Sequence, residues 1–279
     1  MNWFGLATLP LGFIAFAIGQ RIARKTYSLS IQRLLLCGIA LLALPGIIYA
    51  VYYLKILGEP IWLYRLRTIP GSELLASLAG FPAGWIQIRA MNRLPVSRLG
   101  KTFLIPVVLA VGLLLPHLKP LLRRLPVEDI PDQWRGDACI QSTASTCGPA
   151  SAATVLRFLG IKSSERELAA ESFTSASGTE NWYLARSLRR RGMHTSFVLS
   201  IPAEVSLPAI AGVRLGQFGD TGHFITLLDR KGDQLIYSDP MHGLSTNNLV
   251  DLKSEYQFTG FFLVIQLNGS EQKANDREH

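Results

Sequence analysis

Apolar residues are concentrated in the first 118 positions, where they form runs long enough to cross a membrane. A helix needs about 20 apolar residues to cross the hydrocarbon core of a bilayer. The pattern predicts about four membrane-spanning helices, at residues 2–20, 34–54, 73–88 and 102–118. The segment 73–88 fits least well, because it has Glu73 at its edge and Pro82 inside. We interpret residues 1–118 as an α-helical transmembrane region.

Basic residues between these runs predict the orientation, since Lys and Arg are enriched on the cytoplasmic side of a membrane. The loops 21–33 and 89–101 carry four basic residues each and no acid; the segments 55–72 and 119–124 together carry six. A multi-pass protein of the bacterial inner membrane with its carboxy-terminal domain outside the cytoplasm is therefore expected. If 73–88 only dips into the bilayer, the domain lies in the cytoplasm. A cleaved signal peptide is disfavoured for the first run, whose basic residues follow its apolar core.

The composition changes after residue 118. Residues 119–135 are proline-containing and polar, which predicts a linker, and the polar residues 269–279 predict a disordered tail. Residues 136–268 have the mixture of a soluble domain, with helical periodicity first and strand-like runs later, which favours an α+β fold. Ser164 and Glu167 form a capping-box pattern at one helix start. Helices are predicted within 147–160, 164–171 and 179–191, and strands at 196–199, 209–215, 224–228, 234–238 and 260–266.

A cysteine stands at the start of the first of these helices, in the stretch QSTASTCGPASAATVLRFLG. Pro149 suits a first helical turn, where its missing N–H is no loss, and Gly160 is a natural stop. The free N–H groups and the dipole of a helix amino terminus stabilise a thiolate, the reactive form of cysteine. Cys147 is therefore a candidate nucleophile. The alternative is a buried structural cysteine.

A histidine and a carboxylate are predicted to meet on a hairpin formed by the strands 224–228 and 234–238. If Lys231 is the centre of a three-residue loop closed by Gly232, residues whose numbers sum to 462 face one another, and His223 lies opposite Asp239. Opposed residues on antiparallel strands have Cβ atoms about 5 Å apart. The carboxylate would fix the tautomer of the imidazole. Gln141 and the Cys147 backbone N–H are candidate donors to an oxyanion. Each residue alone has a structural alternative, as a strand, turn or solvated loop residue.

The order Gln141, Cys147, His223, Asp239 resembles the papain-like cysteine peptidases, and more closely cysteine peptidase family 39, the bacteriocin-processing or double-glycine leader peptidases. The matching segments are QSTASTCGPA, Gly222-His223-Phe224 and Ser238-Asp239-Pro240. The resemblance covers about residues 136–267. It implies a papain-like α+β fold, Cys147 as nucleophile, His223 as base, Asp239 as its orienting group and Gln141 as oxyanion donor. It also implies cleavage of a peptide bond, often after paired glycines in a leader.

The chain departs from this family at two points. Thr146 precedes the cysteine, where many members have an acidic residue. The best-known members are fused to an ATP-driven exporter, whereas this sequence has no GxxxxGK[ST] phosphate-binding motif. The transmembrane region is therefore not expected to be that exporter, and a separate exporter is a hypothetical partner.

Charge and cysteine content restrict the other functional classes. The formal net charge is +8, but the basic residues flank apolar segments and form no stripe with aromatic residues, so anionic lipid is the expected partner and nucleic acid is not. Three cysteines give no disulfide framework. Cys37 and Cys139 are interpreted as packing residues. Zinc is disfavoured, because the candidate ligands lack the spacing of a zinc motif, and no cofactor is expected. The candidate ligands considered for zinc are Cys139, Cys147, His194, His223 and His242.

We expect a membrane-anchored cysteine peptidase that acts on a peptide or on a protein precursor. Two alternatives remain open. A Cys-dependent acyl transferase of the transglutaminase type would use the same residues with an amine as acceptor. A non-catalytic module that binds leader peptides would keep the fold without needing Cys147.

Overall fold

The computed structural model describes residues 2–25, 27–53, 60–89, 91, 95, 97–215 and 222–268. The predicted tail at 269–279 and the basic residue Arg93 lie outside the described residues. The chain divides into two compact units. The first contains Met1–Pro60 and Ile69–Lys119, and the second contains Ile61–Thr68 and Pro120–His279. A short segment between the predicted second and third spans thus belongs to the unit that carries the candidate site.

Among the described residues, the first unit contains four α-helices. They are α1 (Trp3–Arg24), α2 (Leu29–Tyr53), α4 (Gly80–Arg89) and α5 (Arg98–Leu122). By length and composition, three helices in the described part of the chain are apolar enough to cross a membrane, namely Trp3–Arg24, Leu29–Gly46 and Leu99–Leu122. These helices overlap the first, second and fourth predicted spans.

The predicted helix at 73–88 differs from a single α-helix. It consists of a 3-10 helix, Ser72–Ala79, followed by α4. Pro82 explains the division, because a continuous α-helix would require an N–H at residue 82 to bond the carbonyl of residue 78. Starting α4 at Gly80 places Pro82 in a first turn, where the missing N–H costs nothing.

Glycines bring this segment into backbone contact with α1. A Cβ on Gly80 would lie 2.1 Å from the carbonyl oxygen of Gly12, and one on Gly84 would lie 2.0 Å from that of Phe16. Small residues allow such close approach between helices in a membrane, where packing replaces the hydrophobic effect as the driving force.

The direction of each segment follows from contacts near its ends. Asn2 donates to Glu73 Oε1 over 3.2 Å, and Arg89 donates to the Lys25 carbonyl over 3.0 Å. Residues 72–89 therefore run parallel to α1 along its whole length. The Thr8 hydroxyl donates to the Leu113 carbonyl over 3.4 Å, so the end of α5 lies beside the start of α1.

The second unit is an α+β domain, which confirms the predicted fold class. Its helices are α3 (Ile61–Arg67), α6 (Cys147–Phe158), α7 (Glu165–Glu171), α8 (Asn181–Arg190) and α9 (Leu249–Glu255). Its strands are β1 (Trp134–Arg135), β2 (Ala138–Cys139), β3 (Met193–Leu199), β4 (Ala209–Arg214), β5 (Gly222–Lys231), β6 (Gln234–Asp239), β7 (Gly243–Asn248) and β8 (Gln257–Leu267). The first two strands pair with each other, and the other six form an antiparallel sheet in the order β3-β8-β4-β5-β6-β7.

The helix α6 packs across this sheet against β5. The Thr226 hydroxyl donates to the Ser151 carbonyl over 3.3 Å, and the Ser151 hydroxyl donates to the Phe224 carbonyl over the same distance. Most of α6 is buried because Ala150, Ala152 and Ala153 let the helix approach the sheet closely. This packing places the start of α6 beside the start of β5.

The hairpin register differs from the predicted one. Leu227 pairs with Tyr237 instead of Leu235, and the strands continue to Lys231 opposite Gln234. The turn therefore contains two residues, with Gly232 at φ +59°, and the register shifts between Leu227 and Asp229. The backbone twist of a two-residue loop matches the twist of the flanking strands better than that of the predicted three-residue loop. His223 is thus a diagonal neighbour of Asp239 instead of its direct partner.

The helix α3 forms part of the domain. Tyr64 is buried against the rings of Trp182, Phe197 and Phe261, with centroids 5.1 to 5.7 Å apart. The Arg65 guanidinium donates to the backbone carbonyl of Phe197 on the edge strand β3 over 3.1 Å. Sequence reasoning misses this element, because residues 55–72 lie between two predicted spans and their pattern indicates only a loop.

Candidate active site

Cys147 is the first residue of α6 and is half-buried. Thr146 precedes it as a fully buried residue whose hydroxyl accepts from the Thr143 N–H over 3.0 Å and donates to the Thr143 carbonyl. The threonine hydroxyl therefore closes the turn that leads into the helix. With Thr146 at this position, Cys147 still stands at the start of α6.

His223 lies near the start of β5 with Asp239 beside it at the end of β6. Its Nε2 is 2.9 Å from Asp239 Oδ1, and both side chains are almost fully buried. The contact is as predicted, although the register is diagonal. Long side chains reach a diagonal neighbour across two antiparallel strands. His223 and Asp239 therefore meet although the predicted register differs from the observed one by one residue pair.

The other side of the imidazole faces the thiol. Burial by itself lowers the pKa of His223, but hydrogen bonds with Asp239 and with Cys147 outweigh it and raise the pKa from 6.5 to about 9. At neutral pH the ring is therefore an imidazolium. Because Asp239 occupies Nε2, the remaining nitrogen, Nδ1, is the one that meets the sulfur.

Asp239 is held by three donors. Besides His223, the Tyr256 hydroxyl donates to Oδ2 over 2.7 Å and the Met241 N–H donates to Oδ1 over 2.8 Å. Burial raises the pKa of Asp239, but these hydrogen bonds lower it below its ordinary value, so the group stays ionised. Tyr256 was missed by sequence reasoning. It follows α9, and no local pattern links it to a carboxylate 17 residues earlier.

Gln141 lies on the loop that leads to Cys147. Its backbone N–H donates to the Pro240 carbonyl over 2.8 Å, which places it next to Asp239 in space. One N–H of its side-chain amide donates to the Thr143 carbonyl over 3.0 Å. The second amide N–H is left for another acceptor. The structure thus brings all four candidate residues into one connected network.

Cys139 is a separate, buried thiol. Burial raises its pKa to about 12, with a smaller contribution from the charge of Glu165, so it stays protonated at neutral pH. Its environment is that of a packing residue. Within the described residues, no group of three or more His, Cys, Asp or Glu side chains is arranged to hold a metal ion.

Comparisons with known proteins agree on the second half of the chain. The model of the Peptidase C39 family matches residues 137–270. A protein of Methanothermobacter marburgensis, described as uncharacterized, is 35% identical over 133 residues, covering 47% of this chain and 90% of the relative. An uncharacterized protein of Methanothermobacter thermautotrophicus is 32% identical over 136 residues, again with 47% and 90% coverage.

Two solved structures are similar to the same part of the chain. The peptidase domain of Streptococcus ComA, a bifunctional ABC transporter in a quorum-sensing pathway, is 22% identical with a TM-score of 0.40, covering 46% of this chain and 96% of that domain. A double-glycine-motif protease from an AMS/PCAT transporter, solved with its leader peptide, is also 22% identical with a TM-score of 0.40, covering 46% and 89%.

Proposed function

Since this chain belongs to the Peptidase C39 family, a family of cysteine peptidases, through residues 137–270, we propose that it is a membrane-anchored cysteine peptidase. Cys147 is the nucleophile, His223 the general base and acid, Asp239 the group that orients His223, and Gln141 an oxyanion donor. One observation carries the proposal: a single buried imidazole is hydrogen-bonded to a carboxylate on one side and faces the helix-start thiol on the other. The substrate is a peptide or a protein precursor, and the family makes a leader that ends in paired glycines the first candidate.

The reaction follows from these positions. The Cys147 thiolate attacks the carbonyl carbon of the scissile bond, and the carbonyl oxygen becomes an oxyanion that accepts from the Gln141 amide and the Cys147 backbone N–H. The C–N bond breaks as the His223 imidazolium gives its proton to the leaving amine, which leaves a thioester on Cys147. His223 then takes a proton from water, whose oxygen attacks the thioester. The acid product leaves, and the thiolate–imidazolium pair is restored.

A peptide library tests the activity. Purified full-length protein is incubated with peptides that include Gly-Gly sequences, and mass spectrometry identifies the products. We expect fragments that carry one added water, and we expect them to disappear after treatment with iodoacetamide. Transfer of the acyl group to an added amine, without hydrolysis, would instead support the acyl transferase. Intact peptides throughout would contradict both activities.

We further propose that the chain crosses the cell membrane four times, with the peptidase domain on the extracytoplasmic side. Residues 72–89 run beside the whole of α1, from Asn2 to Lys25. A 3-10 helix rises about 2.0 Å per residue and an α-helix about 1.5 Å, so these 18 residues extend about 31 Å. That length matches the hydrocarbon core, about 30 Å thick. The 3-10 turns thus allow a short segment to cross.

The charges at the ends of the first unit support the orientation. Arg21, Arg24 and Lys25 at the end of α1 lie at the same end as Arg89, and basic residues face the cytoplasm. The end of α5, after which the peptidase domain begins, lies beside the start of α1 at the opposite end.

Labelling with a membrane-impermeant maleimide tests this topology in intact cells. The background carries Cys37→Ala and Cys147→Ala, and single cysteines replace the exposed residues Trp62, Ser97 and Glu128. We expect labelling of Trp62→Cys and Glu128→Cys from outside, and of Ser97→Cys only after permeabilisation. Labelling of Trp62→Cys and Glu128→Cys from opposite sides would mean that residues 72–89 do not cross.

A further inference from the structure

The carboxylate of Glu165 is buried beneath the loop that carries Gln141. Its side chain is completely inaccessible to solvent, with Oε1 accepting from the Ser142 N–H over 2.8 Å and Oε2 accepting from the Ser142 hydroxyl over 2.6 Å. Glutamate is almost never fully buried, because its charge must leave water. A glutamate that only complements the dipole of α7 could do so from the surface. The burial therefore points to a role at Ser142, 23 residues earlier in the chain.

Glu165 contacts the chain on both sides of Gln141. The carboxylate holds Ser142, the next residue, and the Glu165 backbone N–H forms a hydrogen bond with the Cys139 sulfur, two residues before Gln141. Cys139 is fixed in turn, because its own N–H donates to the Thr154 hydroxyl on α6 over 2.9 Å. The backbone that flanks Gln141 is thus attached to α6 and α7.

The Gln141 side chain has few contacts that could orient it without this support. Its Nε2 makes one hydrogen bond, to Thr143, and its Oε1 is buried and makes none within the described part of the chain. The direction of the free amide N–H therefore depends on where the backbone at 141 and 142 is held. An oxyanion donor is effective only if it is in place before the charge develops.

We propose that Glu165 is a positioning residue for catalysis, which fixes the loop at Ser142 so that the Gln141 amide meets the oxyanion. This inference rests on the proposed peptidase function. Glu165 acts through Ser142 and Gln141 and does not touch the substrate.

Glu165→Ala tests the inference through three readouts on the full chain. Because an oxyanion donor contributes about a hundredfold to a thousandfold to kcat, misplacing it should lower kcat by about 10- to 100-fold with KM within about twofold. A peptide aldehyde, whose oxygen occupies the oxyanion position after thiol addition, should bind more weakly by the same factor. Alkylation by iodoacetamide needs Cys147 and His223 but no oxyanion donor, so its rate should stay within about twofold. A merely structural defect would lower all three together.

Two further variants keep the test decisive if Glu165→Ala does not fold. Glu165→Gln still accepts the Ser142 N–H and should restore kcat to within about fivefold of the wild type. Ser142→Ala loses one of the two hydrogen bonds and should show a smaller loss, about threefold to tenfold, with the same separation of kcat and alkylation. Glu167→Ala is the matched control, because Glu167 lies on the same helix with an exposed side chain and should leave all readouts unchanged.

The outcomes separate this inference from the function on which it rests. Wild-type protein that hydrolyses peptides, together with Glu165→Ala and Ser142→Ala variants of unchanged kcat and aldehyde affinity, would overturn the positioning role alone. A wild-type chain that hydrolyses no peptide would overturn the proposed function and this role with it.

Discussion

Replacing Cys147 with alanine is expected to reduce peptide hydrolysis by at least about a thousandfold, since removal of one member of a catalytic triad has effects of that order or larger. The variant lacks the sulfur that forms the thioester, and neither His223 nor Gln141 can replace it. The fold should be retained, because the side chain is only half-buried at the start of α6. The rate of product formation, followed by mass spectrometry, measures the effect.

The two other cysteines provide controls for this experiment. Cys37→Ala removes an exposed thiol of the first unit, and Cys139→Ala removes a buried one that stays protonated. Both variants should hydrolyse peptides at close to the wild-type rate. Cys139→Ala should also lose about 1 kcal/mol of stability, because it leaves a small cavity. Full activity of Cys147→Ala, or its loss in Cys37→Ala alone, would contradict the assignment of the nucleophile.

Asp239→Asn is expected to slow hydrolysis at pH 7 by about ten-thousandfold, the order of the loss when the aspartate of a triad is replaced by asparagine. The amide matches the carboxylate in size but carries no charge, so it no longer stabilises the imidazolium of His223. The raised pKa of His223, about 9, depends in large part on Asp239 and should fall in the variant. Steady-state rates of both proteins over a range of pH measure the two effects together.

The direction of the pH effect follows because the protonated form of His223, the imidazolium, is the form that supports hydrolysis. In the wild type, the imidazolium is present below about pH 9 and disappears as the pH rises through that value, so kcat/KM should decline there. In Asp239→Asn this decline should move to lower pH. Asp233→Asn, a change at the exposed turn of the same hairpin, is the matched control and should alter neither rate nor pH profile. An unchanged alkaline limb in Asp239→Asn would show that the carboxylate does not govern His223.

The local parts of the site could be predicted from the sequence because local rules determine them. Pro149 and Gly160 mark the limits of one helix, and these limits put Cys147 at its start. The encounter of His223 and Asp239 could be predicted from a short hairpin. The predicted register was wrong, because the turn contains two residues instead of three and the strands shift near Leu227. The contact between His223 and Asp239 forms in the observed register as well, because side chains reach diagonal neighbours.

The supporting parts of the site could not be predicted, since they depend on long-range packing. Glu165 meets Ser142 only after α7 has packed beside α6, and Tyr256 meets Asp239 only after β8 has entered the sheet. In the sequence, Glu165 lies inside a capping box, where Ser164 does accept the Glu167 N–H over 3.1 Å, and nothing distinguishes it from an ordinary surface glutamate. Burial of a charge is a property of the fold that one sequence does not display.

The packing of α3 affects how the second unit can be studied in isolation. A recombinant fragment that starts at residue 120 lacks Tyr64 and Arg65. It would therefore expose the rings of Trp182, Phe197 and Phe261 to water. The edge strand β3 would also lose the hydrogen bond that Arg65 donates to its backbone. The exposed edge of a β-sheet promotes pairing between strands of two protein molecules, which leads to aggregation. Aggregation of such a fragment would thus be a consequence of truncation and would carry no information about the intact chain. A design that joins residues 60–69 back onto the fragment would cover these rings again.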